Sequence, residues 1–334
     1  MPGAIERIGI IGGGAWGTAL ANVAASQGRE VILWAREAEV VEAINGTRQN
    51  HVYLPDVPIH EGVTATSDIA AACDAQALLL VTPAQHLRAT LSAIAAYVAN
   101  GMPAAICAKG IEEGSGAILS DVVAEALPDA VPAVLSGPTF AAEVAAGLPT
   151  AVTLACRDAG AGEALVAALG GRAFRPYLTD DIAGAQIGGA VKNVLAIACG
   201  IGAGRELGQN ARAALITRGL AEMTRLGEAL GARRETLMGL SGLGDLVLTC
   251  TSAKSRNTSL GLAIAAGEDA AGYLARRPSV AEGAATAGAV LELATRHGVD
   301  MPICRAVDAI VNHAAPIAGE IEALLARPFR GEGA

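Results

Sequence analysis

The stretch Ile8-Gly9-Ile10-Ile11-Gly12-Gly13-Gly14-Ala15-Trp16-Gly17-Thr18 joins an apolar run to a glycine turn and then to an Ala-rich run of helical character. With a strand before it and a helix after it, the spacing Gly12-x-Gly14-x-x-Gly17 is the phosphate-binding fingerprint of a dinucleotide-binding βαβ unit. Gly12 permits the tight turn, Gly14 lets the backbone approach a pyrophosphate, and Gly17 lets the helix pack closely on the sheet. The pyrophosphate would rest on the helix N-terminus, where unpaired amides and the helix dipole favour an anion. The second strand ends Trp34-Ala35-Arg36. An acidic residue at this point holds the ribose 2′-hydroxyl of NAD, whereas Arg accepts a 2′-phosphate. Arg36 therefore favours NADP(H) over strict NAD(H) use; the competing reading is a solvated arginine at a strand end.

Outward from this unit, apolar runs at 5–12, 31–35, 77–82, 104–109, 133–136, 151–156 and 174–178 alternate with Ala-rich helical stretches. That alternation predicts an α/β fold, with a doubly wound, mostly parallel sheet covered by helices on both faces. After Asp180-Asp181, a helix start, the pattern turns almost wholly helical, over 182–203, 211–230, 235–239, 258–265, 282–297 and 303–313. The predicted division is an NAD(P)-binding Rossmann domain over residues 1–185 and a helical substrate-binding and catalytic domain over 186–334.

Composition excludes several classes. Acidic residues outnumber basic ones 33 to 24, a net charge of −9, which argues against a nucleic-acid groove or a membrane-surface patch. A phosphate-bearing ligand must then be held by a few local cations and by backbone amides. No basic segment precedes an apolar signal core, and apolar runs are interrupted before they reach membrane-spanning length. The six cysteines form no CxxC pair and the five histidines show no metal spacing. The expectation is a cytoplasmic protein without a metal. Of the 24 basic residues only Lys109, Lys192 and Lys254 are lysines. In a chain so biased toward Arg, a retained lysine marks a place for a compact amine of tunable pKa.

Two of these lysines fall among candidate site residues. Thr82-Pro83-Ala84-Gln85 and Lys109-Gly110 each end a strand at the carboxyl edge of the sheet, where doubly wound folds bind ligands. Ser136-Gly137-Pro138-Thr139-Phe140-Ala141 ends the next strand and opens a helix. Lys192, beside Asn193, is a lone cation in an apolar helix. Its stem could pack while its head reaches water; otherwise it is a desolvated amine suited to proton transfer near neutral pH. The neighbouring Gly188 and Gly189 would let ligands come close. Further on, a Gly-rich loop carries Asp245, and Ser255-Arg256-Asn257 opens a helix that could clamp a phosphate.

In this order, GGGAWGTALA at 12–21, TPAQ at 82–85, KGIE at 109–112, SGPTFAAEV at 136–144, KNVLAIACGI at 192–201, NARAALITRGLAEM at 210–223, GLSGLGDLVLTCTS at 239–252, SRN at 255–257 and VAEG at 280–283 carry a resemblance. The chain resembles the bacterial NAD(P)-dependent glycerol-3-phosphate dehydrogenases over about residues 5–315. The resemblance implies an N-terminal Rossmann-type domain and a C-terminal all-α domain like that of 6-phosphogluconate dehydrogenase. It also implies reversible reduction of dihydroxyacetone phosphate to sn-glycerol 3-phosphate for phospholipid synthesis, with NADP(H) or NAD(H) as cofactor. Lys192 matches the family's proton donor. Lys109, Gly137, Thr139, Asp245, Ser255, Arg256 and Asn257 match substrate contacts. Ala15, Trp16, Arg36, Ala141, Val280 and Glu282 match cofactor contacts, as do Lys109 and Arg256. Thr82, Arg212 and Ala281 depart from the family's usual Val, Lys and Val without removing a needed polar group. The apolar helical half is expected to support a homodimer. Two rival readings are a related β-hydroxyacid dehydrogenase, acting on carboxylates, and a non-catalytic NAD(P)-binding sensor, which would not need Lys192, Asp245 and Arg256 together.

Overall fold

The computed structural model describes residues 4–276, 281–328 and 331 of the chain. β1 (Arg7–Ile11) runs through the glycine turn into α1 (Ala15–Ser26), and α1 returns to β2 (Glu30–Trp34). α2 (Ala38–Thr47), β3 (Val63–Thr66), α3 (Ile69–Cys73) and β4 (Ala77–Leu80) follow. α4 (Ala84–Ile94), β5 (Pro103–Ile106), α5 (Leu119–Ala126) and β6 (Val131–Ser136) come next, then α6 (Ala141–Ala145), β7 (Thr150–Cys156), α7 (Ala159–Leu169) and β8 (Phe174–Thr179).

Among the described residues these strands form one sheet in the order β3-β2-β1-β4-β5-β6-β7-β8. Every neighbouring pair is parallel except β6 and β7, so the last two strands run against the other six. The sheet is the mostly parallel, doubly wound one that the alternation predicts. β3 escapes an apolar-run reading because Val-Thr-Ala-Thr is short and half polar, with only Val63 and Ala65 turned inward.

Period-two alternation divides the sheet's apolar side chains between two cores. Ile8, Ile10, Leu33 and Leu79 face one side with Leu20 of α1, while Ile11, Leu78, Leu80 and Ile106 face the other with Leu87 and Leu91 of α4. Each such side chain, removed from water on folding, contributes about 1.5–3 kcal/mol. The strand order reverses at β1 and β4, and there the carboxyl ends of the strands open a crevice.

α8 (Ile182–Gly204) begins the second half. Asp181 caps it, accepting the Gly184 N–H at 2.8 Å, and its other oxygen takes the Arg233 N–H at 2.8 Å. Ile182 and Ala185 of α8 belong to the sheet's core, and from Ile187 onward the helix is the axis of a separate helical core. α8 has the length and hydropathy to cross a membrane, yet 89% of its most apolar window is buried inside the protein. Around it pack α9 (Gly208–Ala229), α10 (Arg234–Leu237), α11 (Asp245–Thr251), α12 (Arg256–Ala265), α14 (Glu282–Arg296) and α15 (Pro302–His313), while α13 (Ala270–Ala275) packs on α12 and α16 (Ile317–Leu325) on α15.

The segment read as a Gly-rich loop carrying Asp245 is different in the structure. Leu240–Gly244 forms a wide π turn that runs directly into α11, with Asp245 in the first turn of that helix and fully buried. α13 and α16, both short, are also absent from the sequence reading. All six cysteines are free and buried.

Candidate active site

The glycine turn sits at the switch point. Gly12 has φ +131°, a left-handed conformation that favours glycine, and a Cβ there would press on the backbone of Val81 and Thr82 at the end of β4. A Cβ on Gly17 would collide with the Gly12 carbonyl oxygen, so the turn closes only around a bare α-carbon. Gly14 is the N-cap of α1 and brings no capping side chain, and a Cβ built on it would meet nothing within 4 Å. The first turn of α1, with Ala15 and Trp16, thus begins beside open space and without a capping side chain, a fit for the pyrophosphate of a dinucleotide. Ala141 opens α6, which packs on α1.

Further round the same edge, three elements deliver charged groups to one point. Lys109 comes from the segment after β5, Lys192 from the middle of α8 and Asp245 from α11. Lys109 Nζ lies 2.6 Å from Asp245 Oδ2 and donates to the Gly137 carbonyl oxygen at 3.0 Å. Lys192 Nζ lies 3.0 Å from Asp245 Oδ1 and donates to Thr249 Oγ1 at 2.8 Å, and Thr249 in turn donates to Asp245 Oδ1 at 3.2 Å. Thr139 Oγ1 donates to the same Gly137 oxygen at 3.2 Å. One carboxylate is therefore shared by two ammonium groups and a hydroxyl.

Burial and mutual charge together set the protonation of this cluster. Desolvation drives the Lys192 amine down to about 8, against the pull of Asp245 and with the help of the Lys109 charge. Burial pushes the Asp245 carboxyl up, but the two lysines outweigh it and hold the group below its ordinary value. A carboxylate fixed in its charged form thus holds an amine poised near neutral pH.

A second chain of bonds ties the helices together. Asn193 Nδ2 reaches the Lys109 carbonyl oxygen at 3.5 Å, Asn257 Nδ2 donates to Asn193 Oδ1 at 2.9 Å, and the Gly283 N–H donates to Asn257 Oδ1 at 3.0 Å. The Asn257 side chain is committed to the protein and leaves its main-chain amide, in the first turn of α12, for an anion. Ser255 caps α12, accepting the Thr258 N–H at 3.2 Å. Arg256 is exposed at the first position of α12, and its charge acts on Glu282. The Glu282 carboxyl, pushed up by burial, accepts the Ala84 N–H at 3.4 Å and so touches the start of α4 at the switch point.

The structure thus brings Lys109, Gly137, Thr139, Lys192 and Asp245 into one bonded cluster and links Asn257 and Glu282 to it through neighbouring residues. Gly12, Gly14, Ala15, Trp16 and Gly17 form the turn. Arg36 stands apart at the end of β2, paired with Glu37 at 2.8 Å and 79% exposed at its side chain. Val280 lies outside the described residues. Lys254 is a surface cation paired with Glu143 at 2.9 Å. Gly188 and Gly189 do not open space for ligands. Gly188 lies on the Ser241 backbone, and a Cβ on Gly189 would meet Ser136 Oγ at 2.9 Å and the Lys109 stem at 3.3 Å. These glycines admit the protein's own chain.

Thr249, which the sequence reading leaves without a role, touches both Lys192 and Asp245. The signal was its place four residues after Asp245, a spacing that puts both on one helical face, once the segment is known to be helix. Asn193 also emerges only from the fold, because its partners lie 84 and 64 residues away.

Comparison with known proteins gives the same pairing of halves. Residues 7–161 match the family model described as NAD-dependent glycerol-3-phosphate dehydrogenase N-terminus, and residues 181–322 match the corresponding C-terminus. A glycerol-3-phosphate dehydrogenase [NAD(P)+] of Parvibaculum lavamentivorans is 57% identical over 98% of this chain and 99% of its own. One from Rhodospirillum rubrum is also 57% identical, over 98% of this chain and 95% of its own. Among solved structures, the glycerol-3-phosphate dehydrogenase of Coxiella burnetii superposes with a TM-score of 0.92 at 40% identity, covering 97% of this chain and 99% of its own. With both family halves matched in order and relatives this similar along nearly their whole length, the chain belongs to the NAD-dependent glycerol-3-phosphate dehydrogenase family.

Proposed function

We propose that the protein catalyses the reversible NAD(P)H-dependent reduction of dihydroxyacetone phosphate to sn-glycerol 3-phosphate, feeding glycerophospholipid synthesis. The observation that carries this reading is the desolvated Lys192 amine, lowered to about 8 and held against a fully buried carboxylate. A bound nicotinamide supplies the hydride. The chain's own residues do the rest. As negative charge develops on the substrate's carbonyl oxygen, the Lys192 ammonium stabilises it and then gives up a proton. Asp245 keeps that ammonium charged despite its burial, and Thr249 fixes its direction. Lys109 adds a second positive charge on the same side. Arg256 and the first amides of α12 take the phosphate, as a guanidinium beside a helix N-terminus can. Gly137 and Thr139 line the substrate, Gly12, Gly14, Ala15, Trp16, Gly17 and Ala141 the cofactor's pyrophosphate side, and Glu282 its far end.

The division between the cofactor and substrate domains is assigned to α8 at residues 185 and 186, in keeping with Ala185 in the sheet's core and Ile187 in the helical one. A cytoplasmic homodimer completes the proposal. Exposed Leu207, Met238, Val247 and Leu325 give the helical half apolar surface for a second copy.

The direct test is oxidation of NADPH, and in parallel NADH, by the purified protein in the presence of dihydroxyacetone phosphate. Turnover is expected, and Lys192→Ala should lower it by about 10² or more with cofactor affinity nearly unchanged. Turnover only with 3-oxo-carboxylates would reassign the substrate to the β-hydroxyacid class. No turnover with either would leave a cofactor-binding sensor.

A further inference from the structure

Thr82-Pro83-Ala84-Gln85 has no part in the reaction described above, yet its last side chain is engaged at both amide atoms. Gln85 Nε2 donates to the Ile111 carbonyl oxygen at 2.9 Å, and Gln85 Oε1 accepts the Glu113 N–H at 2.9 Å. Three residues along the same face of α4, Arg88 takes hold of the residue between. Its Nε and Nη2 each donate to a Glu112 carboxylate oxygen at 2.8 Å, and its Nη1 reaches Glu125 at 2.9 Å. Residues 111, 112 and 113 are thus pinned consecutively to α4.

Lys109 lies two residues before that clamp. Gly110 between them packs so closely that a Cβ would sit 2.7 Å from Ala84 Cβ, and Ile111 is fully buried. From the other side, Arg296 of α14 donates to the Ser115 carbonyl oxygen at 2.7 Å, and Ser115 Oγ donates to Glu112 at 2.6 Å. The segment that carries Lys109 is therefore held from both halves of the molecule: Asn193 of α8 reaches the Lys109 carbonyl oxygen at 3.5 Å, and Gln85 bonds the main chain just beyond it at 111 and 113.

We propose that Gln85 is a positioning residue for the lysine pair: by clamping the main chain at residues 111 and 113, it fixes the point from which the Lys109 ammonium reaches Asp245. Two bonds to one amide define both distance and orientation, which a single bond would not. The consequence is electrostatic. Asp245 divides its charge between Lys109 and Lys192, and the Lys109 charge opposes protonation of Lys192. Lys192 is further faced by Cys250 of α11, and Glu282 of α14 lies within its field. With Lys109 loosened, Asp245 serves Lys192 more fully and the amine keeps its proton to higher pH.

The scarcity of lysine makes this measurable without turnover. The full-length protein, labelled with lysine enriched in ¹³C at Cε, carries three such side chains, assigned with Lys254→Arg and Lys109→Arg. In Gln85→Ala the Lys192 titration midpoint should rise by roughly half a pH unit or more. Gln85→Met, neutral, of similar length and unable to make either bond, should show the same rise. In parallel, kcat/KM for dihydroxyacetone phosphate should fall about tenfold in Gln85→Ala, with the Kd for NADPH unchanged. An unmoved Lys192 midpoint in folded variants overturns the proposal, whatever their activity. Should Gln85→Ala fail to fold, the midpoint in Gln85→Met decides in the same way. Only the kinetic arm rests on the proposed reaction: a wild type inactive on this ketone would refute that reaction, and the lysine titration would still judge Gln85.

Discussion

Lys192 and Asp245 meet at 3.0 Å, ammonium to carboxylate, with side-chain exposures of 9% and 0%. The two come from different helices, so their pairing joins α8 to α11 at the centre of the site. Taking two charges out of water costs several kcal/mol per ion, and a buried pair persists only where further bonds satisfy the remaining atoms. Here Lys109 and Thr249 supply them. The arrangement is better understood as a device for setting protonation than as a source of stability.

Removing the charge alone tests that view. Asp245→Asn leaves two ammonium groups facing a neutral amide. Lys192 should then lose its proton at a pH below 8, because burial and the Lys109 charge would act on it without the opposing pull of the Asp245 carboxylate. The rate of ketone reduction at pH 8 should fall by about 10² or more, with its alkaline limb displaced to lower pH. A pH–rate profile of the variant checks this, and a limb in the wild-type position would show that Asp245 does not govern the lysine.

The wild type has a pH signature of its own. With Lys192 at about 8, the ammonium that the proposed mechanism uses as proton donor is lost above that pH, so reduction should slow as pH rises through about 8. Oxidation of the alcohol needs the neutral amine and should speed up over the same interval. Stability follows the same titration. Between about 8 and the ordinary 10.5 the unfolded chain binds the proton that the folded site does not, so the Lys192 contribution favours folding increasingly as pH rises across that window. Initial rates in both directions from pH 6 to 10, and urea midpoints against Lys192→Met from pH 8 to 10.5, measure the two effects.

The cofactor turn was legible in the sequence because each glycine answers a backbone demand: Gly12 a positive φ, Gly17 a contact with the Gly12 carbonyl. Lys192 was legible because a lone cation in an apolar helix has few explanations. Asp245 was recognisable as a residue and hidden as a geometry. Gly239, Gly242 and Gly244 each weaken a helix by about 1 kcal/mol relative to Ala, which makes a loop the natural reading. Tertiary contact overrides that propensity, since the backbone of Ser241 lies on Gly188 of α8 and that of Leu237 lies on Gly242. With that segment read as a loop, the Asp245–Thr249 pairing stays hidden. The same contact reverses the reading of Gly188 and Gly189, whose missing side chains make room for protein.

Away from the site, Glu222 of α9 is 2% exposed and accepts the Ile303 and Cys304 N–H groups at 2.7 and 3.2 Å, closing the first turn of α15. Burial nevertheless pushes its carboxyl up to about 7, against those two bonds. A carboxyl raised above its unfolded value contributes stability that is present below pH 4.5 and lost as pH rises through about 7. Glu222→Gln keeps an acceptor for one amide and cannot titrate. Between pH 5 and 8 the wild-type Tm should therefore fall relative to that of the variant, as read by calorimetry. A constant difference between the two would mean that the carboxyl is ionised throughout.

A role for Arg36 as a 2′-phosphate partner has a direct test. Its guanidinium donates through Nε and Nη2 to Glu37 at 3.2 and 2.8 Å, on a side chain that is 79% exposed. Exposed pairs of this kind contribute about 0–1 kcal/mol, so little holds the guanidinium back from a 2′-phosphate, with which it can form two charge-assisted bonds. Glu37, its present partner, would also repel that phosphate unless Arg36 stood between them. Arg36→Ser should weaken NADPH binding by about tenfold or more, about 1.4 kcal/mol, while NADH binding stays within about twofold. Titration of each cofactor by quenching of protein fluorescence measures both constants. Equal weakening of the two would assign Arg36 to the adenosine that they share and remove it from any role in choosing between them.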